Sequence, residues 1–319
     1  MFNKILVLSL NSYLRHTVWM ELLDDSGTST QHDRYTAVDS GLNICRALAA
    51  YGASTVPILL IGEENSAHYS NLMLNYGIQN YRQVLMTGSV PIVTDNIDSD
   101  NNIFSERQAA TALYAGTAQQ IVAAVKGELS ENTLIIISGT LPEQMTANEL
   151  FYIVSELSAV GASFALDTAE LSLGQLLELK PWCIKLNSHE LEALSYRRLL
   201  QTTDIIDLCR DMCTDGIGQC IVSTGADGLY YCSNEDAFIV QVPKVDVLDK
   251  VGAGDMTTAG FIYSIIKDGH KLKRSLCTAA AFGTAACLTE GTNPPQKLSF
   301  ASILGRVKIQ QYMCGVVGK

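Results

Sequence analysis

The sequence predicts an α/β protein: a doubly wound, mostly parallel sheet with helices on both faces, plus a small β lid. Three observations carry that expectation. Short apolar runs of strand length alternate with stretches of helical period along most of the chain. With 319 residues, 47% hydrophobic and 17% charged, the chain can bury one large core. Two polar, turn-rich, β-like stretches, at about 11–36 and 87–104, interrupt the alternation and read as surface loops or, together, as the small β lid of a single domain spanning 1–319.

Taken in order, "KILVLSL" is a buried first strand. "GLNICRALAAYGA" puts Leu42, Cys45, Leu48 and Ala49 on one helical face and ends at Gly52. "STVPILLIG" is a second buried strand, and "NSAHYSNLMLNYG" a helix closed by Gly77. "VPIVTDNIDSDNNIF" reads as a hairpin. "ENTLIIISG" is again a strand, followed by the helix "TANELFYIVSELSAVG", where Thr146 and Glu149 have the spacing of a capping box. "ASFALD" and "PWCIKLN" are strands, and "SHELEALS" is a helix. Ligand sites in such sheets lie beyond the carboxyl ends of the strands, where the motifs below all fall.

Composition narrows the partners. With 22 basic against 33 acidic residues the net charge is −11, which disfavours nucleic acid or an anionic membrane. The N-terminal run is broken early by polar residues, so it predicts neither a signal peptide nor a membrane span. Nine cysteines without framework spacing fit reduced thiols in the cytoplasm. Cys209 and Cys213 lie at helical spacing with no second pair to complete a metal site, and read as packing.

Three motifs carry chemistry. In "VGAGDMTTAG", Gly252, Ala253 and Gly254 offer free amides at a helix start, an anion site, followed at once by Asp255. A carboxylate beside an anion makes sense as the base for a hydroxyl that attacks a phosphoryl group. It makes equal sense as a plain N-cap. In "KLNSHE", Asn187 and Glu190 match both a capping box and a Mg²⁺–phosphate pair, with Lys185 in reach of a phosphate. A zinc helix is excluded, because Leu191, Glu192 and Ala193 follow where a second histidine is needed. In "STGADG", Ser223, Thr224, Gly225 and Gly228 form either an ordinary turn or the rim of a nucleotide site. No P-loop is present, and a dinucleotide loop fails at Thr257, where its last glycine belongs.

As an ordered set, "SGLNICRALAAYG", "SGTLP", "KLNSHE", "STGADG", "VGAGDMTTAG" and "AAAFGTAAC" resemble the ribokinase-like (PfkB) sugar kinases. The match is nearest the phosphofructokinase and tagatose-6-phosphate kinase branch and spans nearly the whole chain. The resemblance implies an ATP- and Mg²⁺-dependent kinase acting on a sugar, sugar phosphate or polyol, with a β lid that can pair two copies. It implies Asp255 as general base and Gly252, Ala253 and Gly254 as anion hole. Asn187 and Glu190 would organise Mg²⁺, Lys185 would contact phosphate, and Ser223, Thr224, Gly225, Gly228 and Gly283 would hold the nucleotide.

The acceptor side departs from the pattern. The branch carries an aspartate where this chain has Arg15 in "SLNSYLR". Its glycine-rich turn with lysine is "VDSG" here: Gly41 and Asn43 match, Asp39 and Ser40 do not, and Val90 stands where a lid arginine is usual. A guanidinium accepts no hydrogen bonds from hydroxyls, and the lost lysine and arginine remove charge that would hold a sugar phosphate. These changes predict an altered acceptor met by Arg15, Asp39, Gly41 and Asn43, or else an Arg15–Asp39 pair that serves the fold. Lys250, where a small hydroxyl residue is common, is a milder change. The alternatives are a catalytically weak nucleotide-binding sensor or scaffold on a kinase fold and, third, a nicotinamide-dependent oxidoreductase.

Overall fold

The computed structural model describes residues 2–20, 31–98, 102–108, 116–269 and 271–312. Residues 21–30 of the first interrupting stretch and 99–101 of the second therefore lie outside the description. The strands are β1 (Lys4–Ser9), β2 (Tyr13–Met20), β3 (Gln31–Val38), β4 (Val56–Gly62), β5 (Arg82–Met86), β6 (Ile92–Ile97) and β7 (Ile103–Arg107). They continue with β8 (Thr133–Ser138), β9 (Ser163–Asp167), β10 (Cys183–Asn187), β11 (Gln219–Ser223), β12 (Leu229–Ser233), β13 (Ala237–Gln241) and β14 (Lys308–Gln311). Helices α1 (Ser40–Ala50), α2 (Ser66–Asn75), α3 (Thr117–Lys126), α4 (Ala147–Ser158) and α5 (Leu173–Leu179) fall between them. So do α6 (Ser188–Ser195), α7 (Thr202–Thr214), α8 (Ala253–Asp268), α9 (Leu272–Ala286) and α10 (Lys297–Leu304).

Ten strands form the main sheet in the order β5-β4-β1-β8-β9-β10-β11-β12-β13-β14. Pairing is parallel from β5 through β11 and antiparallel beyond. From β1 the chain first winds one way to β4 and β5, then returns to β8 on the other side. Such a reversal opens a crevice at the carboxyl ends of the strands.

The continuous apolar run of β1 explains its central place. Leu6, Leu8 and Leu10 pack with residues of α3, α4, α5 and α7, while Ile5 and Val7 pack with α1, α2, α8 and α9. A strand buried on both faces needs apolar residues at every position. Each fully buried leucine is worth about 1.5–3 kcal/mol relative to exposure. Thr146 and Glu149 form the capping box that starts α4.

A second sheet of four strands runs β3-β2-β6-β7, with the β6–β7 pair an antiparallel hairpin. Its β7 edge exposes Ile103 and Phe104, each 62% accessible. Chain continuity ties this sheet to the crevice at two points. Tyr13 opens β2 just past β1, and Val38 closes β3 just before α1. Cys209, Cys213, Cys220 and Cys232 are buried together under α7, β11 and β12, their thiols bonded to one another or to backbone carbonyls. Among the described residues no cluster of His, Cys, Asp or Glu is arranged to hold a metal ion.

Candidate active site

Helix α8 starts at Ala253, and its N-cap is Gly252 in the left-handed region at φ 78°. A side chain at that φ would be strained, and a Cβ there would also press on Thr292 Cγ2 at 3.2 Å. Asp255 is the third helical residue and makes no capping bond; its Oδ2 accepts instead from Asn43 Nδ2 of α1 at 2.8 Å. The plain N-cap reading of Asp255 is therefore overturned. Burial pushes its carboxyl up to about 7, and Asp167 adds to the rise, while Asn43, Lys185 and Ser40 oppose it. Along the loop, Ala253 N–H is spent on Lys250 O at 3.3 Å and Met256 N–H on Gly252 O at 2.9 Å. The amides of Gly254 and Asp255 have no protein acceptor among the described residues, leaving them as donors at the positive end of α8.

Two cavities meet at this loop, and Gly254 lines both. The larger, of about 710 Å³, gathers Lys185 and Asn187 from the end of β10 and Ser223, Thr224, Gly225 and Gly228 from the β11–β12 turn. Ala253, Lys250 and, from α9, Gly283 complete its near wall. Val242, Val245, Val247 and Ala280 supply an apolar flank that sequence reasoning did not single out. No motif marks those positions, since their common face arises only when β13 and α9 pack beside the turn.

Lys185 Nζ lies 3.0 Å from Asp167 Oδ1, and Thr258 Oγ1 donates to the other oxygen of Asp167 at 2.7 Å. Burial draws the ammonium's pKa down, but the Asp167 carboxylate outweighs it and holds the group charged. A Cβ at Gly254 would sit 2.8 Å from Lys185 Nζ, so a side chain there would displace that ammonium from the start of α8. Asn187 and Glu190 do form a capping box on α6: Glu190 N–H donates to Asn187 Oδ1 at 2.9 Å, and Asn187 N–H to Glu190 Oε2 at 2.7 Å. One carboxylate oxygen of Glu190 is left over.

The smaller cavity, of about 250 Å³, is lined by Asn11, Tyr13, Asp39, Ser40, Asn43, Thr140, Gly252, Asp255 and Thr292, among others. Asp39 is the N-cap of α1: Oδ1 accepts from Gly41 N–H at 2.9 Å and Oδ2 from Ser12 Oγ at 3.0 Å. Burial pushes its carboxyl up to about 6, against the opposing bonds from Ser9, Gly41, Ser12 and Leu42. Gly41 lies behind this wall, against Ser9.

Arg15 does not line the cavity and does not pair with Asp39. It points along the second sheet, with Nε 3.3 Å from Asp95 Oδ2 of the parallel strand β6. Asp39, by contrast, is turned onto the amides of its own helix, which hold a carboxylate better than a distant guanidinium does. Val90 is fully buried, its backbone held by Asn65 at 2.9 and 3.1 Å. Sequence reasoning missed Asp167, Asn11, Tyr13, Thr140 and Thr292. For Asp167 and Asn11 a signal existed: each ends or follows an apolar parallel strand, where a polar residue has only the crevice to face.

The sequence pattern of the pfkB family of carbohydrate kinases matches residues 25–298. The chain belongs to that family. It is 24% identical over 278 residues to 1-phosphofructokinase of Escherichia coli K12, covering 86% of this chain and 88% of that protein. It is 28% identical over 302 residues to 1-phosphofructokinase of Rhodobacter capsulatus, covering 93% and 95%. Among solved structures, phosphofructokinase-2 of E. coli with potassium superposes with a TM-score of 0.83 at 22% identity, over 95% of this chain and 98% of that one. The same enzyme with fructose-6-phosphate gives 0.81 at 20% identity, over the same shares. The fold is accordingly ribokinase-like, and membership in this family makes the chain a phosphotransferase with an alcohol acceptor.

Proposed function

We propose that this pfkB-family member is an ATP-dependent kinase transferring a phosphoryl group to a hydroxyl of a sugar or related polyol, with Asp255 as general base. One observation carries the reading. Asp255 is half-buried, free of capping duty and raised to about 7, at the loop where the two cavities meet. The larger cavity suits the nucleotide, with Lys185 and the turn from Ser223 to Gly228 at its wall; the smaller suits the acceptor.

MgATP, when bound, supplies the γ-phosphoryl group. Asp255 takes the proton of the acceptor hydroxyl, and Asn43 keeps the carboxylate turned toward the acceptor cavity. The Gly254 and Asp255 amides, with the ammonium of Lys185, offset negative charge building at the loop. Mg²⁺ binding commonly uses one or two carboxylates plus water and phosphate oxygens. The spare oxygen of Glu190 fits that role, with Asn187 beside it and waters between.

The second sheet acts as a lid over the acceptor cavity, which Tyr13 already lines. Its exposed Ile103 and Phe104 suit a pairing of two copies through the lid, which Phe104→Asp would break in sedimentation. Among the described residues no helix is long and apolar enough to cross a membrane, and the net charge of −11 suits a small-molecule partner rather than nucleic acid. The deciding test is ADP release with a panel of sugars and polyols, using Asp255→Asn as control. Turnover that survives in the variant defeats the base assignment. No turnover in either protein favours the sensor or scaffold instead.

A further inference from the structure

The acceptor cavity sits in an unusual electrostatic setting. Its wall includes two carboxylates, Asp39 and Asp255, and no lysine or arginine among the described residues. The other polar groups are neutral: Asn11, Tyr13, Ser40, Asn43, Thr140 and Thr292. Residues 21–30, 99–101 and 109–115 contain no lysine or arginine.

None of the nearby cations among the described residues lines the cavity: Arg107 of the lid strand β7 lies 3.8 Å from Glu143, three residues past Thr140, and Arg15 makes an ion pair but no hydrogen bond at Nε. Arg15 acts electrostatically on Tyr13, but its Nε lies 3.3 Å from Asp95. Lys185 faces the other cavity and is paired with Asp167. Arg46, buried in α1, lies behind Thr292 and Asn293, donating to them at 3.3 and 3.2 Å with its guanidinium over the Tyr76 ring. A phosphate monoester carries nearly two negative charges at neutral pH. Entering a half-open cavity walled by two carboxylates, it sheds part of its hydration and meets like charges, and both disfavour binding.

Resting on the kinase reading above, we propose that the acceptor is an uncharged polyol, an unphosphorylated sugar or related ring, and that Asp39 and Ser40 set this choice. Asp39 does so through the field of its carboxylate. Its oxygens are already occupied by Gly41 N–H and neighbouring serine hydroxyls, so it repels anions rather than reading hydroxyls. Ser40, the first residue of α1, fills the place where a lysine side chain would project into the cavity. Asn11, Ser40, Asn43 and Thr140 can each donate to and accept from ring hydroxyls. A volume of about 250 Å³, just under the roughly 300–1,000 Å³ of drug-sized sites, suits one ring.

The test uses the full chain with matched pairs: D-fructose against its 1- and 6-phosphates, D-ribose against its 5-phosphate, and a wider set of hexoses, pentoses, polyols and nucleosides against their monophosphates. Thermal shift without ATP reads acceptor binding, and ADP release with MgATP reads turnover. The expected result is that every effective acceptor is unphosphorylated and that each monophosphate binds at least about tenfold more weakly than its parent. Asp39→Asn, which keeps a good N-cap, should narrow that gap by about tenfold to a hundredfold, the range for one charge at an effective dielectric near 20. Ser40→Lys should bring monophosphate binding up, and Arg15→Ala should leave the preference as it is.

A monophosphate that outbinds its parent overturns the proposal, as does Arg15→Ala abolishing monophosphate binding. A panel with no binder of either class overturns it too. If parents bind but no ADP is released, the acceptor assignment stands and the kinase reading falls.

Discussion

The two cavities that meet at Gly254 are built from opposite materials. On the larger side, a paired ammonium, glycine turns and an apolar flank make the site proposed above for the nucleotide. On the smaller side, the buried Asp39, the half-buried Asp255 and a set of amides and hydroxyls make the site proposed above for neutral hydroxyls. The motifs that carry the resemblance fall on the larger side, whereas on the smaller side Asp39 and Ser40 stand where the resemblance expects other residues. The difference teaches that, on the proposed function, the transfer loop and the choice of acceptor are separable: the loop would act through backbone amides, the choice through a few side chains around α1.

The largest effect that probes this contrast is at their junction. Asp255→Asn should lower turnover by ~10²–10⁴-fold while nucleotide binding, measured by calorimetry, is kept. In the wild-type protein kcat/KM should fall as pH drops below about 7, because Asp255 must be a carboxylate to take the proton. A profile flat from pH 8 to 5 would remove Asp255 from that role.

Next in size is the pair behind the loop. Lys185→Met leaves the Asp167 carboxylate buried without its partner, a change that typically costs about 3–5 kcal/mol. It should also raise the Asp255 carboxyl further, moving the acid limb of activity to higher pH. Adding Asp167→Leu should recover much of the stability, read by urea melts, but not the activity.

A third prediction concerns stability against pH. The Asp255 pKa is raised from an unfolded value near 3.8 to about 7, so its ionised form is disfavoured in the folded state. Its contribution therefore costs nothing below pH ~4, grows as pH rises through that window and is complete above pH ~7. Asp255→Asn should accordingly be the more stable protein at pH 8, by up to ~4 kcal/mol, and gain nothing at pH 4. A constant gain across that range would contradict the assigned shift.

The smallest effect compares two capping boxes of the same design. Thr146→Ala at α4 and Asn187→Ala at α6 should each cost ~1 kcal/mol of stability. Only the second should also weaken nucleotide binding, since only Asn187 lines the larger cavity. Equal and purely structural effects would reduce Asn187 to a cap.

Much of this was legible from the chain. Apolar runs such as that of β1 and the helical spacing of Leu42, Cys45 and Leu48 fix strand and helix locally, because burial on one or both faces imposes its period. Turns and helix starts at Gly252, Gly228 and Asn187 are likewise local chemistry, readable from a few adjacent residues. Local reading could not decide which of two roles a residue takes. The cap reading of Asp255 fell only when the fold brought Asn43, 212 residues away, to its carboxylate and left the cap to Gly252.

Sequence alone determined the layered α/β fold and the glycine turn that opens α8, because each depends on residue type and spacing. Only the tertiary structure decided the partners. It sent Arg15 to Asp95 instead of Asp39, set Asp167 behind Lys185, and made Tyr13 and Thr292 walls of one cavity. Charge pairing is set by distance in space and by the burial around it. Neither is written in chain order until the strands have chosen their neighbours.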